Sequence, residues 1–292
     1  MTTSSSARTG FAGFETSDGR GNLHLRAARS QYSVIPAAGE QSATAALPTA
    51  PIALADEAVI LAGGKGIRLR PYTTLIPKPL VPIGDKYSVL EIIIRQLAQM
   101  GFHKVTLATG HLGSIIDAYV GDGSQWGLEV RCLSDETPVG TLGPVLRMLD
   151  SLPENFLVMN ADILTDLDYR DLLSLHIEGG APLTVAACRR EHHVDFGVLD
   201  IMDRRIHHLE EKPSLSYAVN MGVYAVARAT LLDYERGKAI GFDTLMTDLI
   251  AKGMPPTPYE FAGYWADIGR PEDYDRANAE FPSIEHSLLR GG

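Results

Sequence analysis

The chain has 292 residues, of which 45% are hydrophobic and 21% charged, and a formal net charge of −10. Those figures suit one large α/β domain or two small ones with a proper core, and they argue against a general nucleic-acid surface. No apolar run approaches the length of a membrane-spanning helix, so neither nucleic acid nor membrane is expected as a partner.

Residues 1–55 are rich in Ser, Thr, Ala and Gly and show no sustained hydrophobic period. Met1–Ser30 lacks the apolar segment of a secretory signal, and Glu15 and Asp18 argue against a transit peptide despite the Ser4-Ser5-Ser6-Ala7-Arg8 start. The expectation is a disordered leader over 1–55, a folded domain over 56–281 and a short tail over 282–292. At the start of the domain, Ala58–Leu61 is an apolar run suited to a buried strand, and it stops at the pair Gly63-Gly64. Glycines leave main-chain N–H groups open to close approach by a charged ligand. Lys65, Arg68, Arg70 and Lys78 follow, with no acid before Asp85. A bare backbone beside uncompensated cations, after a buried strand, describes a polyphosphate cradle.

Ser88-Val89-Leu90-Glu91 is a capping-box pattern that opens a helix running to Met100 and stopping at Gly101. Lys104–Ala108 reads as a strand, Leu112–Val120 as a helix ended by Gly121-Asp122-Gly123, and Leu128–Leu133 as a strand. Pro144 suits the first position of a helix to Leu152. A buried strand over Phe156–Met159 precedes Asn160-Ala161-Asp162. Asp168 then caps a helix over Tyr169–Glu178, which Gly179-Gly180 stops, and Leu183–Cys188 is a further strand. Cys132 and Cys188 lie far apart in separate apolar runs and read as buried free thiols of a reducing compartment, the cytoplasm. This alternation predicts an α/β fold on a largely parallel sheet. Beyond Phe196 the expected strands, Gly197–Ile201, Arg205–Glu210 and Tyr217–Val226, crowd together and suggest a smaller antiparallel region. Helices are expected over Asp243–Ala251 and from Arg270-Pro271 to Phe281.

No Walker A loop occurs, and the dinucleotide fingerprint fails because Leu69 stands where Gly64-Lys65-Gly66-Ile67-Arg68-Leu69 would need a glycine. The longer pattern Leu61-Ala62-Gly63-Gly64-Lys65-Gly66-Ile67-Arg68-Leu69-Arg70-Pro71, with Pro77-Lys78-Pro79-Leu80, resembles the signature of the nucleotide-sugar pyrophosphorylases, the sugar-1-phosphate nucleotidylyltransferases. The likeness spans residues 57 to 281. It implies a Rossmann-like layered α/β/α nucleotidyltransferase fold, with a predominantly parallel mixed sheet and a smaller antiparallel sugar-binding region. It also implies that a nucleoside triphosphate and a sugar-1-phosphate give an NDP-sugar and pyrophosphate, and it allows a homo-oligomer.

The same resemblance assigns roles. Arg68 and Lys78 would be catalytic. Leu61, Ala62, Gly63, Gly64, Lys65, Gly66, Gly110, Gly140 and Thr141 would bind nucleotide. Glu210-Glu211-Lys212-Pro213, Asn220-Met221-Gly222-Val223-Tyr224 and Asp195-Phe196-Gly197-Val198 are similar to family segments that meet the sugar phosphate, which points to Gly197, Glu211, Lys212 and Asn220. Asp162 ends a strand, and Asp267 lies in Tyr264-Trp265-Ala266-Asp267, similar to the family's closing segment; together they would hold Mg²⁺. Taken alone, an Asp after a strand is more often a turn former or helix cap, and a Glu-Lys pair before a turn more often plain surface. Pro138-Val139-Gly140-Thr141-Leu142-Gly143-Pro144 looks most like the guanylyltransferases, whereas Gly121–Leu128 looks like the glucose-1-phosphate thymidylyltransferases. GTP is therefore the favoured donor, with dTTP, UTP, CTP and ATP left open. Two other readings are a non-catalytic sensor of NDP-sugar and a glycosyltransferase using Asp166-Leu167-Asp168; for the latter, helix capping explains the aspartates better. His192-His193 and His207-His208 are poor chelates, because neighbours on a strand point to opposite faces.

Overall fold

A computed structural model describes residues 56–134 and 139–289. The leader expected over 1–55 lies outside the described residues, as does the end of the tail expected over 282–292. Residues 58–62 carry apolar side chains at neighbouring positions, the pattern of a strand buried on both faces. With Glu57 they form β1 (Glu57–Ala62), with Ala58 and Ile60 in one core and Val59 in another. A small ribbon of β2 (Pro82–Ile83) and β3 (Tyr87–Ser88) leads into α1 (Val89–Gln99). The Ser88 hydroxyl accepts from the Glu91 amide at 3.0 Å, as the capping box requires.

Next come β4 (Lys104–Thr109), α2 (Gly113–Val120), β5 (Glu129–Ser134), α3 (Gly143–Met148) and β6 (Asn155–Asn160). The short β7 (Ile163–Thr165) follows, and then α4 (Tyr169–Gly179), where the Asp168 carboxylate accepts from the amides of Arg170 and Asp171. After α4 run β8 (Leu183–His193), β9 (Val198–Met202), β10 (Arg205–Glu210) and β11 (Ser214–Ala227). The order closes with α5 (Phe242–Ala251), β12 (Thr257–Phe261), β13 (Trp265–Asp267) and α6 (Pro271–Leu288).

Seven strands form one sheet in the order β12-β8-β11-β6-β1-β4-β5. β5, β4, β1 and β6 pair in parallel, β11 runs antiparallel to β6 and β8, and β12 is parallel to β8. One face packs on α1, α2, α4 and α6 through residues such as Ile93, Ile116, Leu172 and Phe281. The other packs on α3 and α5 through Val145, Leu146, Leu245 and Leu249. This is the layered α/β arrangement expected, with a mixed and mostly parallel sheet. Of the three strands expected beyond Phe196, β11 belongs to the main sheet and only β9 and β10 stand apart from it, as an antiparallel ribbon.

Three expectations are corrected. The final helix does not end at Phe281. It continues through Pro282 to Leu288, whose side chain is buried in the first core. β8 and β11 run several residues beyond the apolar segments that marked them, because their outer halves pair with each other while exposed. Cys188 is buried, but Cys132 is only half-buried, and both are free.

Candidate active site

In an open α/β sheet the crevice lies beyond the carboxyl ends of the parallel strands. Four strands converge there. β1 runs into the glycine loop, β4 into Gly110-His111, β5 ends at Ser134, and β6 delivers Asn160-Ala161-Asp162. They bound a cleft of about 740 Å³. Leu61, Ala62, Gly63, Gly64, Lys65, Gly110, Gly140 and Thr141 all line it, with Lys78 and Asp162. Gly66 lies just outside that lining. Its backbone is left-handed (φ 60), and an added Cβ would sit 3.0 Å from Thr73 and 3.2 Å from the Lys78 side chain. Only glycine lets the loop fold down onto Lys78 there. The Thr73 hydroxyl holds the turn by donating to the Gly66 carbonyl at 2.6 Å.

Gly140 has a different physical reason. With φ 75 and the Ile240 carbonyl 2.2 Å from where a Cβ would stand, it lets the cleft wall zip onto residue 240. Leu142 N–H donates to the Ile240 carbonyl, and Ile240 N–H to that of Val139. The Thr141 hydroxyl accepts from the Phe242 amide at 3.2 Å, at the start of α5. Both residues thus shape the wall as well as line it.

The aspartates expected to act together are 105 positions apart in sequence, 162 against 267, and a short ladder joins them. β13 pairs antiparallel with β7, placing Asp267 opposite Ile163, and the Ile268 amide donates to the Asp162 carbonyl at 2.8 Å. The Lys78 ammonium lies between their side chains. It makes an ion pair with Asp162 and stands 4.0 Å from Asp267 Oδ1. Partial burial and then the Asp162 charge push the Asp267 carboxyl above its ordinary range, while Lys78 and Arg68 pull it down. Arg68, exposed at the turn after the glycine loop, therefore acts on the same charge cluster. Two adjacent carboxylates, one weakened as an acid by the other, form an oxygen donor pair that fits a hard divalent cation, with phosphate oxygens to complete it. Among the described residues no cluster of three or more His, Cys, Asp or Glu could hold a metal by itself.

Asn220 does not line the cleft; it is held within β11. Its side chain donates to the Tyr224 hydroxyl at 2.8 Å and accepts from the Gly222 amide at 2.9 Å. A Cβ on Gly222 would lie 2.5 Å from Asn160 Nδ2, so this irregular stretch of β11 sits against the end of β6. The indole of Trp265 donates to the Met221 carbonyl and ties β13 to the same place. Gly197 and Glu211 meet at the base of the β9–β10 ribbon, where a Cβ on Gly197 would stand 2.9 Å from the Glu211 carboxylate. Lys212 is exposed beside them in the turn into β11, with φ 49. These three do not line the cleft.

His111 and Ser134 line the cleft without having been singled out from sequence. Each follows or ends a parallel strand on its carboxyl side, and that position was the available signal. The Asp166-Leu167-Asp168 pattern is engaged structurally: Asp168 caps α4, and Asp166 accepts from the Tyr264 amide at 2.7 Å.

Residues 57–283 match the family model described as nucleotidyl transferase. The chain is 32% identical over 231 residues to mannose-1-phosphate guanylyltransferase of Mycobacterium tuberculosis, a match spanning 77% of this chain and 64% of that relative. HddC from Yersinia pseudotuberculosis, in a crystal structure with GMP-PN, superposes with a TM-score of 0.60 at 26% identity, covering 77% of this chain and 99% of that one. A putative glucose-1-phosphate thymidylyltransferase from Bacillus anthracis, crystallised with a sucrose, superposes with a TM-score of 0.62 at 23% identity, over 81% of this chain and 96% of that one. The last likeness speaks to the fold alone.

Proposed function

Since the chain belongs to the nucleotidyl transferase family, we propose that it joins a nucleoside triphosphate to a sugar-1-phosphate, releasing pyrophosphate and an NDP-sugar. The observation that carries this reading is the meeting of Lys78, Asp162 and Asp267 at the mouth of a glycine-lined cleft. A site that must bring two anionic phosphate esters together needs cations and bare backbone on one side, and a means of offsetting charge on the other.

The triphosphate would lie along the glycine loop, which lines the cleft together with Lys65, with its base toward the Val139–Thr141 wall. An oxygen of the sugar phosphate attacks the α-phosphorus; the bond to the β-phosphate oxygen breaks and pyrophosphate leaves. Arg68 offsets charge on the leaving triphosphate end. Lys78, buried beside the loop, steers the α-phosphate and the incoming oxygen toward each other. Asn220 and Glu211 orient sugar hydroxyls, and Lys212 supplies a point charge for the phosphate monoester. Asp162 and Asp267 would hold a Mg²⁺ ion, which when bound would draw charge from the phosphate oxygens.

GTP is the favoured donor. Support comes from the Gly-Thr-x-Gly-Pro wall, from the guanylyltransferase relative and from the GMP-PN complex of the Yersinia protein. A matrix of five nucleoside triphosphates against sugar-1-phosphates, read by pyrophosphate release with and without Mg²⁺, tests the proposal. It predicts Mg²⁺-dependent release that needs both substrates and is fastest with GTP. No release from any pair would leave only a binding protein, and release fastest with another nucleotide would displace GTP.

A further inference from the structure

Of the buried side chains described on α1, Gln96 alone is polar; the rest are Val, Leu and Ile. An amide in an apolar helix face is unfavourable unless its polar atoms are paired. Gln96 is 2% exposed, and its Nε2 donates to the Thr165 carbonyl at 2.7 Å and to the Leu288 carbonyl at 2.9 Å. Its Oε1 accepts from the Tyr169 hydroxyl at 3.0 Å. Carbonyls only accept, so the NH₂ group must face Thr165 and Leu288, which leaves the amide oxygen for Tyr169. Thr165, Tyr169 and Leu288 are each at most 1% exposed, so bulk water does not stand in for the amide.

The register explains why Thr165 needs this donor. β7 and β13 are bonded where the Asp166 amide donates to the Tyr264 carbonyl and the Ile268 amide to the Asp162 carbonyl. Bonded and non-bonded positions alternate along an antiparallel pair. Thr165, opposite Trp265, therefore holds a non-bonded position, with its carbonyl turned away from β13. Gln96 fills that side. β7 begins one residue after Asp162, and β13 ends at Asp267. The same amide satisfies one of the last carbonyls of α6, which have no partner in their own helix. α6 starts at Pro271, just beyond Asp267. One side chain thus anchors the strand that follows Asp162 and the far end of the helix that follows Asp267. We propose that Gln96 is a positioning residue for this aspartate pair. It sets the lateral place of the β7–β13 ladder, and with it the spacing of the two carboxylates about Lys78. Its role in turnover rests on the reaction proposed for the cleft; its role in the ladder does not.

Gln96→Met keeps the length of the side chain and removes the amide. Tyr169→Phe removes one hydrogen bond of the same network and leaves both carbonyl bonds in place. In the full chain, hydrogen exchange at the Asp166 and Ile268 amides should quicken by about tenfold or more in Gln96→Met, the scale of leaving a buried carbonyl without its donor, and should keep the parent's rate in Tyr169→Phe. Pyrophosphate release should need about tenfold more Mg²⁺ for half-activation in Gln96→Met, and no more than the parent in Tyr169→Phe. If Gln96→Met does not fold, the unaltered protein still decides: the Gln96 side-chain amide and the two ladder amides should exchange through one opening, with equal protection. Three results would overturn the proposal. They are ladder amides as slow in Gln96→Met as in Tyr169→Phe, an unchanged Mg²⁺ requirement in Gln96→Met, and a ladder that opens while the Gln96 amide stays protected. A parent that releases no pyrophosphate would remove the reaction, and exchange alone would then decide on Gln96.

Discussion

Replacing Asp267 by asparagine should make the resting protein more stable while slowing turnover. The Asp267 carboxyl is held above its ordinary value of 3.8 by partial burial and by Asp162, against the pull of Lys78 and Arg68. Desolvation and repulsion therefore outweigh the two cations. A carboxylate whose pKa is raised by folding binds its proton more tightly in the folded state, so its ionisation costs stability. That cost is fully present above the folded value and disappears below the unfolded one. Asparagine keeps the shape and removes the charge. Because the side chain is 48% exposed, solvent screens most of the effect, leaving a gain of roughly 0.3–1 kcal/mol at neutral pH. For a domain of this size that is a rise of roughly 1–3 °C in Tm. Thermal unfolding of both proteins at pH 7 and again near pH 4 is the assay; the gap should narrow at the lower pH. Pyrophosphate release should fall by about a hundredfold or more, the scale of losing one preorganised electrostatic partner. A variant less stable than the parent at pH 7 would show that the attraction to Lys78 dominates, and undiminished turnover would remove Asp267 from the site.

Arg68→Ala and Lys78→Ala should each lower turnover by about a hundredfold or more, measured as pyrophosphate release, with near-normal rates in both counting against their assigned roles. Gly64→Ala and Gly140→Ala should separate function from folding. A Cβ at Gly64 meets nothing within 4 Å, so that variant should unfold within about 1 kcal/mol of the parent yet bind triphosphate more weakly. Gly140→Ala combines a left-handed backbone with a backbone clash at Ile240, and should lose about 2 kcal/mol or more in denaturant unfolding. His176 is buried with Nδ1 against the Thr184 hydroxyl at 2.9 Å, and burial lowers its pKa from 6.5 to about 4. Folding therefore weakens its proton binding, so stability should fall as pH drops from 6.5 toward about 4, by on the order of 3 kcal/mol from this group. His176→Gln should flatten that part of the profile, and an unchanged slope would contradict it.

Much of the fold was legible because local signals agreed. The Ser88 and Asp168 caps, the stops at Gly101 and Gly180, and the unbroken apolar runs of β1 and β6 each carry a physical cause within a few residues. What sequence reading missed is made by distant partners. β7 and β13 are three residues each and exist because they pair across about a hundred positions of chain. β12 mixes Thr257, Pro258 and Glu260 with aromatics and becomes a strand only beside β8. α6 crosses Pro282 because Leu288 has a core to enter. The glycine loop and the cations announced the cleft, whereas the joining of Asp162 and Asp267 through Lys78 follows from that long-range ladder. His111 and Ser134 carry no local signal beyond their place at strand ends.

The most direct test follows the oxygen atoms. A sugar-1-phosphate labelled with ¹⁸O at every phosphate oxygen is incubated with unlabelled triphosphate and Mg²⁺, and the products are weighed by mass spectrometry. Attack by the sugar phosphate on the α-phosphorus predicts that the NDP-sugar retains the whole label and that pyrophosphate carries none. Label in the released pyrophosphate, or an NDP-sugar missing part of it, would contradict the chemistry assigned to the cleft.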